Sequence, residues 1–167
     1  MDYAVGTIGR IFTIRFDDGD DFLTGLADLA AKENVKAGWF NIIGGLRQAE
    51  VVTGPQAAVM PPEPVWAKVD EAKEVIGVGS IFRDENNLPK VHLHSALGHH
   101  GNTMTVCVRK KTATYLILEA YLVEITGINA TRPWFAKGQF NRLAFADVEK
   151  NRGPTLTQCR PPVSNLL

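Results

Sequence analysis

The chain has 167 residues, 45% of them hydrophobic, with 18 basic and 18 acidic side chains and no formal net charge. That length and apolar content suffice for one domain with a buried core, and zero net charge argues against duplex DNA as the main partner. No signal-peptide pattern opens the sequence and no apolar run nears membrane-spanning length; two distant cysteines, Cys107 and Cys159, make no disulfide framework, so a reducing cytoplasm is the expected setting.

Gly6 to Phe16 reads as a strand with Ile8, Phe12, Ile14 and Phe16 on one face. Asp17-Asp18-Gly19-Asp20 ends it and supplies a helix cap, after which Phe22, Leu26, Leu29 and Ala30 recur at helical spacing to about Glu33. Acidic residues at a helix start complement its dipole, so Asp17, Asp18, Asp20 and Asp21 read as structural rather than as metal ligands. Ala37 to Ile43 is a second strand, Gly44-Gly45 a bend or bulge, and Leu46 to Thr53 a third strand. Pro55 to Pro64 is an irregular connection. Val75 to Phe82 is another strand, with Gly77 and Gly79 where backbone must approach closely. Asp84 to Pro89 is a turn.

All four histidines then fall within nine residues, His92, His94, His99 and His100, with Cys107 shortly after. Histidine is the commonest metal ligand and titrates near neutral pH, so this clustering beside a thiol is a chemical signal. Val91, Leu93, Ser95 and Leu97 alternate with His92, His94 and Ala96. After the Gly98 to Gly101 turn, Met104, Val106 and Val108 alternate with Thr103, Thr105 and Cys107, which makes a β-hairpin. If Gly98 and Gly101 close the loop, His92 faces Cys107 and His94 faces Thr105, all on one side of the sheet. Directly paired Cβ atoms are then about 5 Å apart and the His94 to Cys107 diagonal about 7–8 Å. A metal with ligand bonds of about 2.0–2.3 Å bridges that span. A one-residue slip would move Cys107 to the other face.

A His, His, Cys set suits zinc, and three protein ligands leave one position for water or substrate. The same alternation also fits a solvated or hydrogen-bonded polar face. His99 and His100 sit in the turn, pointing away from the strand face. Arg109-Lys110-Lys111 reads as a solvated turn at a strand end. Thr112 to Ile125 is the longest strand, with Glu119 among apolar neighbours. Its two faces, Tyr115, Ile117, Tyr121 and Val123 against Leu116, Leu118 and Leu122, are both apolar. Such a strand needs covering twice, and another subunit is a reasonable second cover. The Asn129-Ala130-Thr131 sequon reads as accidental. The expected organisation is α+β with a mainly antiparallel sheet flanked by helices, over residues 1–148, followed by a proline-rich tail, 149–167.

The segment from Phe12 to Val52, then EVIGVGSIF, KVHLHSALG and the strand carrying Glu119, resembles the plants-and-prokaryotes-conserved domain family over roughly residues 7 to 145. The resemblance rests on the Arg15 strand with its acidic turn and helix, the Gly44-Gly45 bend, and the HxH strand with its glycine turn. It implies an antiparallel sheet domain assembling as a trimer. It also implies a metal site on the two HxH histidines and a third ligand on the next strand, where this chain has Cys107 in place of histidine. Plant relatives carry AT-hook segments, but Arg152-Gly153-Pro154 and Arg160-Pro161 lack that Arg-Gly-Arg-Pro core. A cupin reading fails because no glutamate follows the second histidine at the required spacing.

Three functions follow as expectations. The first is a zinc-binding homotrimer at His92, His94 and Cys107, with a small molecule bound over the metal. The second is an enzyme in which zinc activates water or polarises a carbonyl, with Arg109 as an anion contact on the same face. The third is a nucleic-acid-associated regulator, which the charge balance disfavours. No membrane association is expected.

Overall fold

The computed structural model describes residues 1–146. Cys159, both arginine-proline segments and the tail expected over 149–167 lie outside the described residues, as does the end of the domain expected to reach 148. The chain runs β1 (Thr7–Asp17), α1 (Phe22–Lys32), β2 (Ala37–Pro55), β3 (Pro64–Val69), β4 (Lys73–Arg83), β5 (Pro89–His99) and β6 (Asn102–Thr126). Four two-residue strands follow: β7 (Ala130–Thr131), β8 (Trp134–Phe135), β9 (Phe140–Asn141) and β10 (Ala144–Phe145).

The main sheet is antiparallel, in the order β1-β6-β5-β4-β2-β3, with a further β6–β2 pairing. The start of β6 pairs with β5, while its later part lies between β1 and β2. Since β2 also pairs with β4 and β4 with β5, the ladder closes a ring through β2, β4, β5 and β6. Alternate residues point into it, and Phe40, Ile42, Leu46, Val51, Leu93, Leu97, Leu118 and Leu122 are buried there. The helix seals this core with Phe22, Leu26 and Ala30. Its cap is Asp21, one residue beyond the expected stretch, which accepts from the Thr24 N–H at 3.2 Å. The Arg83 guanidinium, buried beneath the helix end, donates to the Ala30 carbonyl at 2.8 Å and the Val35 carbonyl at 2.9 Å.

Several expectations change. The two strands expected around Gly44-Gly45 are one strand, β2, because the bend is absorbed as a register shift against β6 between those glycines. Arg109-Lys110-Lys111 is not a turn but the middle of β6, where Lys111 takes φ 55° as a local irregularity. Glu50 on β2 pairs with both lysines across the ladder. β3 pairs with the end of β2; Pro64 and the bulge near Gly54 obscure its period in the sequence. Among the described residues there is one helix, not several. Ile8 leaves the expected apolar face because β1 shifts register between Ile8 and Ile11, and Ile8 is 73% exposed.

Gly79 meets its expectation. A Cβ there would lie 2.3 Å from Phe40 Cζ and 2.7 Å from the His92 carbonyl oxygen, so only glycine lets β4 pass between them. Beyond β6 the chain folds over the outer face of the sheet, where Ala130, Ile128, Leu143 and Phe145 pack on Ala37 and Phe82. No helix among the described residues is long and apolar enough to cross a membrane.

Candidate metal centre

The histidine hairpin forms, with a register two residues away from the expected one. His99 pairs with Asn102, so the loop is His100-Gly101 rather than the four residues from Gly98 to Gly101. Both loop residues have positive φ, 48° and 79°, the requirement of a type I′ turn, whose twist matches that of the strands it joins. His94 therefore faces Cys107 directly and His92 becomes its diagonal neighbour, the reverse of the expected pairing. Because the shift is even, every side chain keeps its face. Leu93, Ser95, Val106 and Val108 go into the core, and His92, His94 and Cys107 share the outer face.

Cys107 lies between His94 of β5 and Val52 of β2, and both Cys107 and Val52 are buried. The two imidazoles keep solvent contact. Their Nε2 atoms are 3.1 Å apart, with ring centroids at 4.9 Å and planes at 80°. One donor atom from each of His92, His94 and Cys107 lies within 4.8 Å of the others. Tetrahedral zinc would space two imidazole nitrogens by about 3.3 Å and a nitrogen and sulfur by about 3.6 Å. The histidine pair already has that spacing, and about 1 Å of side-chain movement brings in the sulfur. The donor set thus fits a borderline-soft divalent ion.

Electrostatics favour the same use. Burial, followed by the charges of Arg132, His94 and Arg109, pulls the His92 pKa from 6.5 down to about 4, so its ring is neutral at pH 7 with a lone pair free to donate. Burial pushes the Cys107 thiol upward, and the nearby Arg109 side chain opposes this. A metal cation would remove the thiol proton.

The other sequence candidates go elsewhere. Glu119 accepts from the Tyr121 hydroxyl and faces Arg15 in the β1–β6 ladder, away from the metal group. His99 lies 3.6 Å from Glu71 and meets His100 edge-to-face at the hairpin tip, with centroids 4.1 Å apart. The aspartates are structural: Asp17 pairs with Arg15, Asp18 with Arg47, and Asp20 accepts from the Asp17 N–H. Arg132 and Ser80 were not singled out in the sequence. Arg132 is 6% exposed, and it donates to the Ser80 hydroxyl at 2.9 Å and the Lys90 carbonyl at 3.2 Å, beside His92. No local pattern marks it, because it arrives from beyond β6.

The family described as the Plants and Prokaryotes Conserved (PCC) domain matches residues 3–126. Among curated proteins nothing matches. Several solved structures share the fold, among them the following. A metal-containing protein from Archaeoglobus fulgidus superposes with a TM-score of 0.74 at 19% identity, over 86% of this chain and 99% of its own. A plant- and prokaryote-conserved protein from Pyrococcus horikoshii gives 0.70 at 19% identity, over 84% and 96%. A protein from Ralstonia eutropha JMP134, whose name gives DNA binding as its candidate role, gives 0.64 at 18% identity, over 80% and 90%.

Proposed function

The chain belongs to the Plants and Prokaryotes Conserved domain family, and on that premise we propose that it holds one divalent ion, zinc, per subunit on His92, His94 and Cys107. The observation that carries this reading is the meeting of the three donor atoms within 4.8 Å on one sheet face. Two imidazoles and a thiolate suit zinc better than harder ions such as magnesium or calcium. The metal-containing relative supports the same reading. A metal so held supplies Lewis acidity at its remaining position, polarising an oxygen of whatever binds there. Arg109, exposed and beside Cys107, contacts that ligand.

The functional unit is a homotrimer. Trp39, Ile43, Ile76, Val78, Ile117 and Tyr121 leave an apolar outer face exposed in one chain, and self-association covers such a face. The setting is a reducing cytoplasm that keeps Cys107 a thiol. Zero net charge, and the pairing of Lys110 and Lys111 with Glu50, weigh against tight duplex-DNA binding.

Element analysis of untagged protein, reconstituted with zinc and desalted, is expected to find about one ion per chain, and His94→Ala or Cys107→Ala should lose it. Retention of no metal, or equal retention by both variants, would overturn the assignment. Light scattering at micromolar concentration should return three chain masses; a monomer would count against the assembly.

A further inference from the structure

Arg132, like Arg83, is a buried guanidinium. It is 6% exposed, and its hydrogen-bond acceptors are all neutral: the Ser80 carbonyl at 3.3 Å, the Ser80 hydroxyl at 2.9 Å and the Lys90 carbonyl at 3.2 Å. The Phe82 ring lies under the guanidinium, 5.1 Å from centroid to carbon. Ion pairs among the described residues engage Arg10, Arg15 and Arg47, and none engages Arg132 or Arg109. Burying a guanidinium without a counter-charge is unfavourable. Arg83 is likewise buried on neutral carbonyls, but beneath the helix end, whereas Arg132 stands beside the metal donors, where a ligand of the metal would supply the counter-charge.

The ladder shows where that anion would sit. Ser80 is the in-register partner of His92 across β4 and β5, and Phe82 is the partner of Lys90. All four share the outer face that carries His94 and Cys107. Arg132 thus borders the three donors at the His92 end, while Arg109 borders them at Cys107. A divalent ion on two neutral imidazoles and one thiolate keeps a unit of positive charge, and the two guanidiniums add one each. The described residues place no carboxylate in the metal-ligand group to balance this.

We propose that Arg132 and Arg109 make the metal centre a binding site for a small oxyanion, a carboxylate or phosphate group whose oxygen takes the metal's remaining position. This rests on the metal-binding reading above and names the ligand class for it. Guanidinium suits such groups because its planar N–H fork matches two oxygens at once. Arg109 offers that fork from an exposed position, while Arg132, whose Nη1 and Nη2 already donate to Ser80 and Lys90, adds its charge and its remaining N–H groups. Arg132 is held in place by its bonds to β4 and β5 before any ligand arrives, so little ordering is needed on binding.

The test uses the full chain loaded with cobalt(II), whose visible spectrum reports ligand exchange at the metal. Cobalt content is measured first by element analysis. Sodium acetate and inorganic phosphate are then titrated separately against potassium chloride at matched ionic strength. A saturable spectral change with either anion, absent with chloride, is expected; the tighter of the two tells a carboxylate ligand from a phosphate one. Arg132→Met should retain cobalt and weaken the anion on the order of tenfold or more, the usual effect of losing a charged hydrogen bond, with Arg132→Lys in between. If Arg132→Met does not fold, Arg109→Met, at an exposed position, should show the same weakening. Full cobalt loading without an anion response, or equal anion affinity in the folded arginine variants, would overturn this inference and leave the metal reading intact. Failure to load cobalt would overturn both.

Discussion

Gly79→Ala tests how closely core packing and the metal centre are joined. The added Cβ would stand 2.3 Å from Phe40 Cζ, 2.7 Å from Phe40 Cε1 and 2.7 Å from the His92 carbonyl oxygen. Phe40 is fully buried, so its ring has nowhere to swing, and relief must come from spreading β4 away from β2 or β5. Overpacking of this kind costs about 2–3 kcal/mol, which for a chain of this length lowers Tm by about 4–12 °C. The same spreading moves the His92 backbone, so zinc affinity should fall along with stability. Gly98→Ala is the matched control on β5: its Cβ would find nothing nearer than Glu74 Cβ at 3.8 Å. It should be neutral or slightly stabilising, because alanine has less unfolded-state entropy to lose. Thermal melts by circular dichroism, with chelator and with zinc, measure both effects. A Gly79→Ala melt within a degree of the parent, or a Gly98→Ala loss as large, would refute the packing argument.

Cys107→Ser should abolish the thiolate-to-cobalt charge-transfer absorption of the loaded protein, and an unchanged band would place the sulfur ligand elsewhere. Gly101→Val should destabilise the hairpin by about 1–2 kcal/mol, because φ 79° at the turn is unfavourable for a branched residue; a melt equal to the parent would count against the type I′ turn. Burial, with the Arg132, His94 and Arg109 charges, lowers His92 to about 4 from 6.5, so between those values the unfolded chain binds more protons than the folded one. Chelator-treated protein should therefore lose stability as pH falls from about 6.5 towards 4, and His92→Asn should flatten that part of the profile. Asp84 adds a more acidic component: burial raises its pKa, but N–H donors from Leu88 and Asn86 and the Lys90 ammonium hold it below 3.8. Its stabilising effect is complete above that value and lost as pH falls through the lower folded pKa; Asp84→Asn should remove this last acid-driven loss.

Much of the candidate site is legible in the sequence because strand alternation is a local property. His92, His94 and Cys107 each alternate with residues such as Leu93, Ser95 and Val106 that go inward, so parity alone puts the three on one face. A two-residue error in the loop leaves that conclusion standing and changes only which histidine is direct and which diagonal. The helix was equally readable from the period of Phe22, Leu26 and Ala30, although its cap, Asp21, falls one residue past the expected stretch. Within the acidic run the capping by Asp21 is local, whereas the Asp18 pair with Arg47 joins residues far apart in the chain.

The residues themselves thus determined the face of each ligand, the type of most principal elements and the chemistry of the donor set. Tertiary structure decided what depends on partners distant in the chain. It joined β2 into one strand by letting β6 shift register at Gly44-Gly45, and carried β6 through a basic run because Glu50 waits across the ladder. It also brought Arg132 from beyond β6 onto Ser80 and Lys90 beside His92. A side chain's face follows from its neighbours two residues away, but its register and its neighbours in space follow from the closure of the whole sheet.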